Sequence, residues 1–266
     1  MNIKIRKGFS IWLIILTFSV THGYAQVMVT ERPGQTIPPA TMNKGSFQVE
    51  AGFTFEGDKP EDTRLHNITP VSSLFRYGLT DWLELRSGLS FFQKNYTTQG
   101  IYHHEFSDIR KGLSPVIFGM KLHILENHGI IPSLSLAGSL SFPQLSTRKY
   151  APDHIAPDLR LSAANHLYQG AGTTYNIGLS WDGFNTLPSF LYSALLWVNH
   201  GQKLTSFYEL YGFIPPEAVA ADVRFDTGLS WLIITNLQAD IEGGIGITEF
   251  APDFYVGAGL SWLIVK

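Results

Sequence analysis

The chain has 266 residues, 19 basic against 22 acidic side chains and no cysteine, which excludes disulfide staples and thiolate metal centres and leaves no basic surplus to attract nucleic acid. Charged residues are 15% of it and aromatic residues 13%, with 25 glycines. The charged share is low against the roughly 25% of an ordinary soluble domain.

Lys4, Arg6 and Lys7 precede a short apolar run at 9–20, and the small residues Gly23 and Ala25 follow. This succession reads as a secretory signal peptide over 1–25, cut near Ala25. The run is well short of the ~18–20 apolar residues of a spanning helix. Cleavage removes three basic and no acidic residues, leaving 16 against 22 and a net charge of −6. Residues 26–43, QVMVTERPGQTIPPATMN, carry three prolines and no periodicity. They read as a flexible periplasmic leader.

From Lys44 to the end, apolar and polar residues alternate with period two, the signature of strands with two different faces. Phe47, Val49, Phe53 and Phe55 alternate with Gln48, Glu50 and Thr54, and Leu83, Leu85, Leu89 and Phe91 with Glu84, Arg86 and Ser90. Further strands run through Phe118 and Met120, Leu134 and Leu136, Tyr175 and Ile177, Leu237 and Ile241, and Phe254 and Leu260. Weaker ones lie at about 67–77, 158–167, 189–198, 204–213 and 222–233, which makes twelve. Tight turns at YGLTD, LENHG, YQGAG, VNHGQK and IITN alternate with mostly longer polar links such as 93–111 and 143–157. An all-β, closed antiparallel transmembrane barrel of twelve strands over 44–266 is expected, with short periplasmic turns and longer extracellular loops, in the outer membrane. Trp82, Trp197, Trp231 and Trp262 lie beside tight turns or at the chain's end, and Tyr77 flanks the first turn. These five aromatics are expected at the periplasmic membrane interface.

The segments SLFRYGLTDWLELRSGLSF and RFDTGLSWLIITNLQADIEGGIGITEFAPDFYVGAGLSWLI resemble the outer-membrane transporters grouped under the name of the meta-pathway of phenol degradation. The first carries Arg76, Tyr77, Gly78, Leu79, Thr80, Glu84 and Arg86, and the second Asn236, Gln238 and Asp240 before a glycine-rich run. The resemblance spans most of 45–266 and implies a barrel that passes small, often hydrophobic or aromatic compounds. The chain departs from many outer-membrane barrels in ending on Leu263, Ile264, Val265 and Lys266 rather than on an aromatic residue.

Alternation places Arg76, Glu84, Arg86, Lys121, Arg160, Glu50, Glu209, Asp226, Asp240 and Glu242 on the lumen face. On the lipid face an Arg or Lys at mid-bilayer costs about 2–4 kcal/mol. Counted from the tight turns, a basic-leaning set on strands 2–4 and an acidic set on strands 9–11 share one level and lie across the barrel. They either impose a transverse field on a solute path or pair and plug the interior. His103, His104 and Glu105 are adjacent in an extended loop and point apart, a poor metal site. GGIGI and VGAGL lie within strands, where glycine eases curvature. No cofactor, metal or catalytic residue is expected; the expected partners are outer-membrane lipids, the barrel-assembly machinery and an unidentified small solute. A structural barrel with a plugged lumen, a lipid-modifying enzyme using dispersed residues such as His123, His154 and His166, and a soluble lipocalin-like or sandwich protein are the alternatives.

Overall fold

The structure, a computed structural model, describes residues 28–58, 63–99, 105–216 and 221–264. The signal peptide expected over 1–25, and His103 and His104, lie outside the described residues. The strands are β1 (Phe47–Asp58), β2 (Thr63–Gly78), β3 (Leu83–Gln99), β4 (Glu105–Leu113), β5 (Val116–Leu125), β6 (Ser133–Phe142) and β7 (Ala156–Tyr168). They continue as β8 (Ala171–Ser180), β9 (Ser189–His200), β10 (Leu204–Ile214), β11 (Asp222–Ile234), β12 (Leu237–Gly246) and β13 (Phe254–Ile264). Each pairs antiparallel with its neighbours, and β1 closes on β13 from Phe47↔Ile264 to Gly57↔Phe254. Both β4 and β5 pair with β3, β4 along Phe91–Gln99 and β5 along Leu83–Gly88. They form one stave broken at Ser114 and Pro115, where proline supplies no ladder N–H. The barrel therefore has twelve staves.

The link expected over 93–111 is largely strand instead. β3 runs on to Gln99 and β4 pairs back along it, with Lys94 opposite Arg110 and Tyr96 opposite Asp108. By the usual rise per residue this hairpin climbs beyond the ~25 Å apolar band of an outer-membrane barrel. Above that band both faces are wet, so nothing selects an apolar–polar alternation and the pattern fades while the pairing continues.

The side-chain distribution is inside out relative to a soluble domain. Phe53, Leu85, Met120, Ile177, Ile241 and Leu260 are exposed on the outer wall. Arg76, Lys121, Gln48, Gln238, Glu50 and Glu84 are among the largest fully buried side chains. Strands whose outward face is apolar and whose inward face is charged are stable only with lipid outside. This removes the soluble alternative and places the barrel in the outer membrane. Ile241→Lys, which sets a cation on the lipid face, is expected to destabilise the barrel by about 2–4 kcal/mol, read by denaturant unfolding in lipid vesicles.

Tyr77, Trp82, Trp231 and Trp262 are exposed on the outer wall at the short-turn end. Trp197 differs. It pairs with Phe207, a buried residue of the inner face, and stacks edge-on against His166 at 5.5 Å. Its neighbours on the same face of β9, Leu195 and Ser193, also point inward. Trp197 thus lines the lumen rather than the membrane interface: nearness to a tight turn sets its height, but the parity of the strand sets its side.

Candidate functional site

Both ends of the leader's described part lie at the short-turn end. Met28 and Met42 are buried together there against Leu263, with Leu232 alongside. Between them residues 29–41 rise into the barrel and return. At the return, Ser46 donates to Asn43, Gly45 to the Gly78 carbonyl and Gly78 to the Ser46 carbonyl, handing the chain over to β1. Residues 28–43 are therefore folded into the lumen, which replaces the expectation of a flexible segment.

A segment without regular structure must find partners for its backbone polar groups or forfeit them. Here the wall supplies them. The Glu31 N–H donates to both Glu50 oxygens at 3.1 and 3.0 Å, and the Arg32 N–H to Glu50 at 3.0 Å. The Gly34 N–H donates to Glu242 at 2.7 Å, Gln35 to Glu209 at 2.8 Å, Ile37 to Asn176 at 2.8 Å and Met42 to Glu84 at 3.0 Å. The carbonyls are met in turn. Val29 accepts from Gln48 and Arg76, Gln35 from Arg160, Ile37 from Ser162 and Asn176, and Pro38 from Lys121. The prolines at 33, 38 and 39 suit this setting because each removes a donor that would otherwise need a partner.

The side chains of the leader sort the wall charges. Arg76, Arg86 and Lys121 stand on β2, β3 and β5; Glu209, Asp226, Asp240 and Glu242 stand on β10–β12, across the barrel. Glu31 reaches the basic side, where its carboxylate contacts Arg86 and Lys121 and lies 3.9 Å from Arg76. The next residue, Arg32, turns to the acidic side, 3.1 Å from Asp240 and 3.7 Å from Glu242. The two side chains point opposite ways, so an acidic–basic dipeptide bridges the two poles. The Arg32 guanidinium lies over Gly52 and Gly259, which face each other in the β1–β13 ladder, in space that a Cβ at either position would occupy. Gly34 follows with φ of +92°, a left-handed turn that glycine adopts without strain, and a Cβ there would approach Glu209 to 2.7 Å.

Beneath the leader the wall charges are also tied to one another. Arg76 forks onto Glu84 at 2.9 Å through both Nε and Nη2 and reaches Glu50 at 3.0 Å. Arg160 pairs with Asp158 at 3.0 Å. Asp226 accepts from the Tyr255 hydroxyl. Thr36 donates to Glu209, and its hydroxyl oxygen lies 2.6 Å from that of Ser193, which can donate to it. Local pairing and long-range segregation of the wall charges thus coexist, with the leader completing both. Among the histidines, His123 contacts the Pro39 carbonyl at 3.2 Å and Glu126 at 3.2 Å, while His166 faces Trp197.

Burial opposes ionisation of Glu31, but the charges of Arg86, Lys121 and Arg76 outweigh it and hold its carboxyl below the usual carboxylate range. A depressed carboxyl stabilises the bound leader above its free value and loses that contribution as pH falls through its bound value. The hold of Glu31 on the wall is therefore expected to persist from neutral pH down to about 4, near the free carboxylate value, and to weaken only in stronger acid. Leader accessibility to added protease across a pH series checks this.

The leader divides the lumen. Toward the short turns lies a cavity of about 1110 Å³, lined by Trp197, Phe207, Leu195, Met28 and the prolines, with Asn127, Gly170 and Asn199 at its edge. Toward the long loops lies a second of about 470 Å³, lined by Arg86, Arg160, Ser139 and Trp181. Leader residues, Arg32 among them, line both.

The model of the family described as "Putative MetA-pathway of phenol degradation" matches residues 30–264. The chain belongs to this family. The match begins at Thr30, so the lumenal leader lies within the family's domain. An outer-membrane channel from Pseudomonas putida F1 has the same fold with a TM-score of 0.61 at 13% identity, over 87% of this chain and 99% of that one. The transport unit of the autotransporter AIDA-I from Escherichia coli aligns with a TM-score of 0.50 at 6% identity, over 90% and 93% of the two chains. No curated protein matches significantly. Similarity at such identities establishes the architecture; what passes through this lumen is argued from its own residues.

Sequence reasoning missed Glu31, Arg32, Gln48, Asn176, Ser193 and Gln238. A usable signal existed for two of them. Glu31 and Arg32 form the only acidic–basic pair in a leader otherwise poor in charge, matching the opposed charge sets expected on the wall.

Proposed function

We propose that the protein is an outer-membrane channel for small molecules, closed by its own N-terminal segment and opened when that segment leaves the lumen. The observation that carries this reading is the place of residues 29–41 between two lumenal cavities, one toward the short turns and one toward the long loops. The wall charges serve both states. With the leader in place they satisfy it; with it withdrawn they leave a constriction with a cationic and an anionic side, which orients polar solutes. The aromatic and proline-lined cavity suits the apolar part of a solute, in keeping with the family's name. Passage rather than catalysis is the reading adopted, since the buried polar groups of the lumen are committed to holding a segment of chain. Single-channel recording in planar bilayers is the test: mostly closed traces with rare, large openings are expected of the native chain. A barrel silent in every leader variant would instead favour a structural role.

A further inference from the structure

We infer that the constriction is a peptide-binding site, and that short peptides carrying an adjacent acidic–basic pair are a solute class it takes when the leader is displaced. The inference rests on the reading that the leader can leave. Its first support is that the wall recognises main chain. The N–H groups of Glu31, Arg32, Gly34, Gln35, Ile37 and Met42 each donate to a wall carboxylate or amide. The carbonyls of Val29, Gln35, Ile37 and Pro38 each accept from a wall side chain. Contacts to main chain give affinity that does not depend on side-chain identity, and the side-chain sites beside them give selectivity.

The second support is the order of charge. One carboxylate is taken by Arg86 and Lys121 on one side, and the guanidinium of the following residue is taken by Asp240 and Glu242 on the other. Gly52 and Gly259 leave the room that the guanidinium fills. A neutral aromatic compound uses none of these groups; a Glu-Arg or Asp-Arg peptide uses all of them. Finally, the cavities on either side give a peptide access to the constriction from both ends.

The test uses the full-length chain in two forms that loosen the leader without altering the wall, the double variant E31R/R32E and Gly34→Leu. The probe is a fluorescent synthetic peptide of residues 28–42, followed by anisotropy on detergent-folded protein and by block of bilayer conductance. Saturable binding is expected, about tenfold weaker for a peptide in which the Glu and Arg are exchanged. An otherwise unrelated peptide with a central Glu-Arg-Pro-Gly run is expected to bind within about tenfold of the leader peptide. No saturable binding to either folded variant, equal binding of the exchanged peptide, or binding by the leader sequence alone would overturn the inference. Variants that conduct but bind no peptide contradict this inference alone. Variants that bind peptide but never conduct contradict the channel and leave the peptide site standing.

Discussion

Replacing Glu31 and Arg32 together by alanine is expected to turn a mostly closed barrel into one that conducts most of the time. Glu31 holds three cations of the wall and Arg32 two carboxylates, and these are the side-chain ion pairs between the leader and the two sides of the lumen. A hydrogen bond to a charged group contributes about 1.5–3 kcal/mol when its surroundings are dry. Losing even one such contribution net shifts the bound–released balance by roughly tenfold to a hundredfold. The main-chain hydrogen bonds remain, so release is a change in population rather than complete loss of affinity. Single-channel open probability measures it, and an unchanged open probability would show that the main-chain contacts alone hold the leader. Each single variant should fall between, with Glu31→Ala the milder in folding because it leaves three cations near Glu50 and Glu84.

Arg76→Met is expected to be the most damaging wall substitution, at about 3–5 kcal/mol of barrel stability, because it leaves charge partners behind without water enough to solvate them. Arg76 is fully buried, forks onto Glu84, reaches Glu50 and donates to the Val29 carbonyl. Its removal sets Glu50 and Glu84 facing each other across the β1–β2–β3 wall. Arg76→Lys keeps the charge but not the fork and should recover only part of the loss. Adding Glu84→Gln to Arg76→Met should recover more, since it removes one of the two stranded charges. Denaturant unfolding in vesicles checks the order. If Arg76→Met costs under about 1 kcal/mol, the lumen at this level is wet enough to behave like protein surface.

The barrel was legible in the sequence because lipid imposes a rule on every residue of a spanning strand. Leu85, Ile177 and Leu260 must be apolar, while Glu84, Asn176 and Ser261 are free to be polar, and that contrast prints period two. Where lipid ends the rule ends, which is why β4 and the upper part of β3 were read as loop. Trp197 shows the same limit in another form, since a turn fixes the height of a residue and not its side. The opposed charges were also legible, because Arg86 and Lys121 fall on one arc and Asp240 and Glu242 on the other. What they hold was not. The partners of residues 28–43 are spread over strands from β1 to β13, most of them far along the chain from the backbone atom that they meet. Complementarity of that kind appears only once the chain closes on itself.

A tether between leader and wall tests the central claim most directly. The chain has no cysteine, and the hydroxyls of Thr36 and Ser193 are 2.6 Å apart, so Thr36→Cys with Ser193→Cys can be joined by oxidation. Placed in the Glu31→Ala, Arg32→Ala background, the pair should be silent in planar bilayers when oxidised and should conduct reversibly on reduction. Equal conductance in the oxidised and reduced forms would contradict the account, because the leader would then be shown to lie beside the solute path and not across it.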